Sequence, residues 1–139
     1  KKDLIRGLNM SAYKKDLCAK YNPMEWIPVI FISCKEKSNI TKSIEIAREL
    51  LKRSRFKVET PRINELLERI QKLKPHPSAR RARPKIYYAT QTGIQPPRFL
   101  LFCSHPNQIK TDYIRFIESS FRKSFGYLGV PIVFELRNK

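Results

Sequence analysis

The sequence predicts a chain of two parts, the end of an α/β unit followed by an α+β part with the element order α-β-β-α-β. A continuous apolar run precedes a helical pattern in the first half. In the second half, aromatic and β-branched runs flank a Pro-Pro connection, and a helical pattern and a last strand follow. The 139 residues are 41% hydrophobic, which is enough for a real core.

The first part begins its regular structure with the apolar run at residues 26–33, WIPVIFIS. Its length and its β-branched residues predict a strand buried on both faces of a parallel sheet. After a polar turn, Ser38 or Asn39 is placed to cap a helix. Apolar residues then recur at helical spacing, namely Ile40, Ile44, Ala47 and Leu51. Strand, loop and helix together indicate the end of an α/β unit.

The second part begins with a helix for which Thr60 is the predicted N-cap and Pro61 the first helical residue, where a missing N–H costs nothing. The predicted apolar stripe of this helix consists of Ile63, Leu66, Leu67, Ile70 and Leu73. An arm rich in proline and arginine, without periodicity or acidic residues, follows at residues 74–85. We expect it to be exposed.

Two strands are predicted beyond the arm, at residues 86–90 and 99–103, because prolines 96 and 97 belong in the turn between them. A helical segment at residues 105–125, as one helix or two, precedes a final strand that begins near Pro131. Spacing makes five phenylalanines core candidates: Phe99, Phe102, Phe121, Phe125 and Phe134.

The charge balance selects the class of partner. The chain has 29 Lys and Arg against 12 Asp and Glu, a formal net charge of +17, so its field concentrates polyanions. Nucleic acid is therefore the first partner to consider. No segment approaches the roughly 20 apolar residues of a membrane span, and no signal-peptide pattern opens the chain. A cytoplasmic location is expected, without a membrane partner.

The cysteines predict neither a disulfide framework nor a metal site. Cys18, Cys34 and Cys103 are odd in number and widely spaced, with only His76 and His105 as companions. We interpret them as reduced thiols. A catalytic Cys-His pair stays an alternative, although no local motif surrounds any of the three. No catalytic residue is assigned.

The arm supplies the candidate phosphate contacts for RNA, which would position the protein without reading sequence. They are Lys74, His76, Arg80, Arg81, Arg83 and Lys85. A solubilising surface loop is the alternative interpretation. Tyr87 and Tyr88 invite a base-stacking role, but adjacent strand residues point to opposite faces. We expect one of them in the core and predict no stacking by the other.

Several motifs agree in order and spacing with one family. They are TPRIN at 60–64, KIYYATQ at 85–91, PPRFLLF at 96–102, YIRFI at 113–117, FRKSF at 121–125 and GVPI at 129–132. With them, the second half resembles the C-terminal KH-like domain of Der (EngA), the family of bacterial double-domain GTPases of ribosome assembly. The first half is similar to the end of the second GTPase domain in that family.

The resemblance implies a domain organisation and a function. Residues 1–58 would be the C-terminal part of a GTPase domain, and residues 59–139 a KH-like domain whose three-stranded sheet has helices packed on one face. The KH-like domain would dock on ribosomal RNA of the large subunit and on the GTPase domains of the same protein. The alternative is a self-contained basic RNA- or protein-binding module with no nucleotide role.

The resemblance also implies guanine contacts. Lys1 and Asp3 match the last positions of an Asn-Lys-x-Asp motif, in which the carboxylate accepts hydrogen bonds from guanine. Ser33, Cys34 and Lys35 match a Ser-Ala-Lys type loop, with Cys34 in place of alanine. GTP or GDP with Mg would bind the intact protein, and no tightly bound cofactor is expected on this chain alone. Since the sequence opens inside a motif, we expect it to be part of a longer protein.

Two further motifs bear on mechanism. The sequence contains no G-x-x-x-x-G-K-[ST] loop and no switch segment, so phosphoryl transfer by this chain alone is not expected. Residues 126–129 have the G-x-x-G spacing of a nucleic-acid clamp. The closeness of Pro131 and the last strand leaves no room for a following helix, so we interpret them as a turn.

Overall fold

The structure is a computed structural model, and it describes residues 9–20, 26–76 and 84–139. It divides into two compact units, Lys1–Leu51 and Lys52–Lys139. This division falls inside a helix, whereas the domain boundary between residues 58 and 59 stays a prediction. The elements are α1 (Met10–Lys20), α2 (Ile40–Ser54), α3 (Thr60–Leu73), β1 (Ile86–Gly93), β2 (Arg98–Cys103), a 3-10 helix (Pro106–Gln108), α4 (Thr111–Phe125) and β3 (Val133–Asn138).

The first unit contains a helix that the sequence did not predict. Asn9 caps α1, because its Oδ1 accepts hydrogen bonds from the backbone N–H groups of Ser11 and Ala12 at 3.1 and 3.3 Å. The ring of Tyr13 lies 5.9 Å from that of Phe31, measured between centroids. This ring contact ties α1 to the apolar run.

The strand predicted at residues 26–33 is wrong. In this run only Ser33 makes a bridge, an isolated antiparallel pair with Ser38. A parallel strand is held by hydrogen bonds to its neighbours, and residues 9–20 and 26–51 place no strand beside this run. Apolar composition favours an extended chain there, but a ladder also needs a partner.

Helix α2 confirms the predicted helical pattern. Asn39 occupies the position before its first residue, where its carbonyl accepts the Ser43 N–H at 3.1 Å, but its side chain does not cap the helix. The Asn39 side chain donates to the carbonyl of Phe31 at 2.9 Å instead. The Ser38 hydroxyl is buried, and it has no hydrogen-bond partner in the described part of the chain. The helix buries no residue, and Ile44 is 50% exposed. The predicted apolar stripe is therefore an exposed face of this unit.

Helix α3 begins one residue earlier than its predicted cap implied. Glu59 occupies the N-cap position in an extended backbone conformation, and Thr60 is already helical. Pro61 still lies in the first turn, where backbone N–H groups have no partner within the helix. The helix buries Ile63, Leu66, Leu67 and Ile70 as predicted. Leu73 is 84% exposed, because the helix ends there.

The second unit has the predicted order α-β-β-α-β, and its described residues form a three-stranded sheet in the order β1-β2-β3. Strands β1 and β2 are antiparallel, while β2 and β3 are parallel. Pro96 and Pro97 lie in the turn between β1 and β2, as predicted. The helical segment before β3 is broken into the 3-10 helix and α4, one of the two expected forms.

Aromatic rings from β2, α4 and the turn that follows form the centre of the core. Phe99 meets Phe121 edge-on, with ring centroids 5.1 Å apart, and Phe134 lies within 5.6 Å of Phe99. Phe99, Phe121 and Tyr127 are fully buried. Of the other predicted core phenylalanines, Phe102 and Phe125 are half-buried, like Phe134. The helices therefore cover the sheet face on which Phe99 lies.

Side-chain amides of α3 satisfy backbone groups of β1. The Asn64 amide donates to the Ala89 carbonyl at 2.9 Å, and its oxygen accepts the Ala89 N–H at 2.8 Å. Its second N–H donates to the Thr60 carbonyl at 2.8 Å. Gln71 donates to the carbonyl of Ile86 at 3.0 Å. These bonds close the edge of the sheet that would otherwise be open for further pairing.

The G-x-x-G sequence is a helix-to-strand turn, as the sequence analysis concluded. Gly126 ends α4 with φ at 74°, in the left-handed region that favours glycine. Tyr127 points into the core, fully buried, and β3 follows. Arg122 is buried at the end of α4, where its guanidinium pairs with Glu118 and reaches the Val130 carbonyl at 3.5 Å.

The Asn64 contacts predict a stability test. Asn64→Ala should destabilise the fold by about 2–3 kcal/mol, since it leaves the N–H and the carbonyl of Ala89 without partners. Asn64→Asp keeps the acceptor but faces the carbonyl with a charged oxygen, so it should be no better than alanine. Urea unfolding measures both against the exposed Glu68→Ala on the same helix, which should stay within about 0.5 kcal/mol of wild type. An unchanged Asn64→Asp would contradict the assignment.

Tyr127 predicts a loss of stability in alkali. Burial raises its pKa to about 12 from 10.0, while a hydrogen bond with Gln91 lowers it by less. The unfolded chain therefore releases this proton first, and stability present below pH 10 is lost as pH rises toward 12. Two pKa units at about 1.4 kcal/mol each set a ceiling of about 3 kcal/mol for this loss.

Tyr127→Phe isolates this contribution. The variant keeps the ring but loses the hydrogen bond from the hydroxyl to the Phe56 carbonyl, 2.8 Å long. At neutral pH it should be less stable by about 1 kcal/mol. The stability difference between wild type and variant, measured by urea unfolding from pH 8 to 12, should shrink and then reverse. A constant difference would contradict the raised pKa.

Candidate nucleic-acid interface

The two ends of the arm lie within the described residues, but its centre does not. Lys74 and His76 follow α3, and Lys85 precedes β1. The predicted contacts Arg80, Arg81 and Arg83 lie in residues 77–83, outside the described residues. The geometry of the arm is therefore known at its two attachment points.

Lys74 is exposed at the end of α3, where its backbone N–H donates to the Ile70 carbonyl. Its ammonium lies 4.9 Å from the centre of the Phe116 ring on α4, a cation–π distance. The contact orients the side chain along α4 without neutralising its charge. Lys74 thus stays suited to a phosphate contact.

His76 holds the start of the arm against α4. Its Nε2 accepts the backbone N–H of Lys110 at 3.2 Å, and its ring meets the Tyr113 ring edge-on at 4.8 Å. The residue is half-buried. Burial raises the pKa of the Tyr113 hydroxyl beneath it. These contacts give His76 a structural role, which the sequence analysis did not foresee, beside the predicted RNA contact.

Lys85 is fixed by its backbone and extends the β1–β2 pair by one residue. Its N–H donates to the Ser104 hydroxyl at 3.0 Å, and its carbonyl accepts the Ser104 N–H at 2.9 Å. Its ammonium lies 5.7 Å from the centre of the Tyr87 ring. The end of the arm is therefore anchored beside an aromatic side chain.

The expectation for the tyrosine pair was wrong. Tyr87 and Tyr88 are 46% and 43% exposed, so neither is core. The β1–β2 register shifts between Ile86 and Tyr88, where Ile86 pairs with Cys103 and Tyr88 with Phe102. An extra residue in one strand breaks strict alternation, because two residues then oppose one. The bulge exposes both rings.

Further aromatic and basic side chains surround Tyr87 and Tyr88 on the sheet face away from the helices. The ring of Tyr88 lies 6.0 Å from that of Phe102, and Arg137 on β3 pairs in register with Phe102. Lys139 brings its ammonium to 5.0 Å from the Tyr87 ring centre. We call Lys85, Tyr87, Tyr88, Phe102, Arg137 and Lys139 the aromatic-basic face. Sequence reasoning missed this face, because it depends on a bulge in the pairing of β1 with β2.

The predicted guanine contacts lie in the first unit. Lys1 and Asp3 fall outside the described residues, while Ser33 to Lys35 form a tight loop. Ser33 is buried, its Oγ accepts the Glu36 N–H at 3.2 Å, and its backbone pairs with Ser38. Cys34 and Lys35 are exposed on this loop, and within the described chain their backbone N–H groups donate to no acceptor.

Sequence comparison identifies the second unit. The model of the KH-domain-like region of EngA bacterial GTPase enzymes, C-terminal, matches residues 57–137. The chain belongs to the Der/EngA family. This confirms the resemblance and the KH-like, α+β fold class. The match also accounts for the order of α3, β1, β2, α4 and β3, which lie within it.

Relatives in the Der/EngA family match both units. GTPase Der of Mycoplasma mycoides subsp. mycoides SC is 35% identical over 132 residues, and that of Chloroherpeton thalassium 37% over 128 residues. GTPase Der of Pelotomaculum thermopropionicum is 33% identical over 139 residues. These alignments cover 94%, 92% and 99% of this chain but only 30%, 29% and 32% of the relatives. The chain thus spans about a third of their length.

Other classes of site find no support in the described residues. They contain no group of three or more His, Cys, Asp or Glu side chains placed to hold a metal ion. None of their helices is long and apolar enough to cross a membrane. Cys34 and Cys103 are free thiols, and burial raises the pKa of the Cys103 thiol, while a backbone hydrogen bond with Arg137 lowers it by less.

Proposed function

We propose that this chain is the C-terminal part of a GTP-binding protein that acts in assembly of the large ribosomal subunit. In that protein, the KH-like unit docks on ribosomal RNA and on the GTPase domains. The observation that carries the proposal is the match of residues 57–137 to the KH-like region of EngA GTPases, in a chain of net charge +17. Polyanion attraction supplies sequence-independent affinity for RNA. The corresponding location is the cytoplasm.

The RNA contacts proposed for the arm are Lys74, His76, Arg80, Arg81, Arg83 and Lys85. Lys74 and Lys85 support this role, because both are exposed cations held at fixed points. His76 adds an anchor at the same end as Lys74. An arm tied at both ends offers its arginines to phosphates with less conformational entropy to lose than a free tail.

The nucleotide role belongs to the first unit. We propose that the exposed N–H groups of Cys34 and Lys35 reach the guanine oxygen and that Ser33 holds their loop through its bond to Glu36. Lys1 and Asp3 would complete recognition of the base. GTP or GDP, with Mg, would bind in the intact protein, where phosphate-binding segments must come from outside these 139 residues.

A second candidate function is a self-contained RNA-binding module without a nucleotide role. The observation in its favour is that the second unit is compact and carries its own buried core around Phe99 and Phe121. The two candidates differ only in the role of the first unit. A guanine-specificity test separates them.

The arm proposal predicts a change in salt dependence. Arg80/Arg81/Arg83→Ala should weaken binding of a labelled hairpin RNA and reduce the slope of log affinity against log salt by about 2, since up to three phosphate contacts disappear. Fluorescence anisotropy across a salt series measures both. The control Lys42/Arg48/Lys52→Ala removes the same charge from exposed positions of α2 and should leave the slope near wild type. An unchanged slope in the arm variant would remove the arm from the interface.

The guanine proposal predicts a switch of base preference in the intact protein. Asp3→Asn replaces one of the two accepting carboxylate oxygens with an amide NH2 that donates, which suits the 2-oxo group of xanthine better than the 2-amino group of guanine. GDP affinity should fall by about a hundredfold or more, and xanthosine diphosphate affinity should rise. Titration with fluorescent analogues of both nucleotides measures this. If GDP affinity stays at the wild-type value, Asp3 does not read the base, and the module without a nucleotide role is favoured.

A further inference from the structure

We propose that the aromatic-basic face binds single-stranded RNA, with bases stacked on Tyr87, Tyr88 and Phe102 and phosphates held by Lys85, Arg137 and Lys139. The inference rests on the proposed RNA docking and names a second surface for it, beside the arm. It differs from a G-x-x-G clamp, because the corresponding residues form the turn after α4.

The bulge is the first step of the argument. Ile86 and Ala89 are buried, and the two tyrosines between them are exposed, so β1 presents consecutive rings that a regular strand would place on opposite faces. The neighbouring edge of β1 is closed by Asn64 and Gln71. The strand is thus fixed by backbone contacts, and the rings need not rearrange to meet a ligand.

Ring geometry is the second step. Tyr88 and Phe102 form a pair with centroids 6.0 Å apart and planes inclined by 44°. Phe102 is half-buried and supports the more exposed Tyr88 from the central strand. Every nucleobase offers a π-face, so exposed rings on a rigid sheet suit stacking without sequence preference.

Charge is the third step, and it selects the occupant. Lys85 and Lys139 lie 5.7 and 5.0 Å from the Tyr87 ring centre, and the exposed Arg137 lies beside Phe102 in the sheet. Glu135 on the same strand is already paired with Arg98 at 3.8 Å. Cations around aromatic rings match a polyanion that carries flat apolar groups, which describes unpaired RNA.

The connection to the arm is the fourth step. Lys85 is the last residue of the arm and also a member of the face. Phosphates bound along the arm would therefore continue onto the sheet beside Tyr87. Base-paired RNA could use the arm, whereas the face needs bases that are free to stack. The two surfaces thus make different demands on the RNA.

The test uses the full chain with a fluorescein-labelled single-stranded U12 oligonucleotide and a fully paired RNA duplex of the same length. Tyr87→Ala/Tyr88→Ala should weaken oligonucleotide binding by about tenfold or more, while the salt slope stays at the wild-type value, because stacking releases no counterions. Duplex binding should change less than twofold. Tyr87→Phe/Tyr88→Phe should keep wild-type affinity for both RNAs.

Two controls protect the interpretation. Leu73→Ala removes an exposed apolar side chain at the end of α3 that is not a member of the aromatic-basic face, and it should leave oligonucleotide binding unchanged. Circular dichroism should show that the tyrosine variants keep the wild-type fold, since both side chains are exposed. Short-wave ultraviolet cross-linking of the oligonucleotide, mapped by mass spectrometry, should give adducts at Tyr87 or Tyr88.

The outcomes separate this inference from the proposed function. If the wild-type chain binds neither RNA, RNA docking itself fails. If both RNAs bind and the arm variant weakens them, but the alanine pair leaves oligonucleotide affinity unchanged, the face is not an RNA surface and docking through the arm stands. A labelled poly-glutamate peptide serves as a third probe. If the wild-type chain binds it and the alanine pair weakens only this binding, the face recognises acidic protein, and the inference is overturned.

Discussion

The second unit depends on the closure of one sheet edge by a side-chain amide. Asn64 reaches from α3 to both backbone groups of Ala89, and each bond replaces one that a fourth strand would otherwise make. Because the same amide also bonds to the Thr60 carbonyl, it fixes α3 in rotation as well as position. In this orientation α3 buries Ile63, Leu66, Leu67 and Ile70. The hydrophobic core contributes most of the stability. The Asn64 contact decides along which edge of the sheet α3 lies and which face of the sheet it covers.

Closing that edge determines what the rest of the sheet can do. Gln71 and Gln91 add further bonds along β1, the second by accepting the Val58 N–H at 2.8 Å and holding the segment before α3. Helices cover one face of the sheet, and side-chain amides bond along β1. The opposite face is therefore the one available to contact a ligand. The bulge at Tyr87 then has a specific effect, since it adds an aromatic side chain to that face without disturbing the residues that pack against α3.

Local patterns predicted much of this fold, and the failures have identifiable causes. The spacing of Ile63, Leu66 and Ile70 predicted α3, because a buried helical face repeats in the sequence. The strand at residues 26–33 failed because a ladder needs a neighbour, which an apolar run cannot reveal about itself. Tyr87 and Tyr88 failed for another reason, since a bulge depends on how two strands pair and leaves no period in one of them. Asn64 stood within a recognised motif, yet its bonds to Ala89 depend on tertiary packing.

The two surfaces proposed to bind RNA differ in what creates them. The arm is visible in the sequence as a charge cluster, and its role depends on composition more than on geometry. The aromatic-basic face depends on geometry alone, because its members are spread over β1, β2 and β3 and meet only when the register in the sheet is correct. Lys85 joins the two, since the Ser104 bonds that extend the sheet also hold the last residue of the arm. A cationic segment that ends on a rigid aromatic surface combines two interactions. Its charges attract a polyanion at long range, and its rings stack on bases at short range.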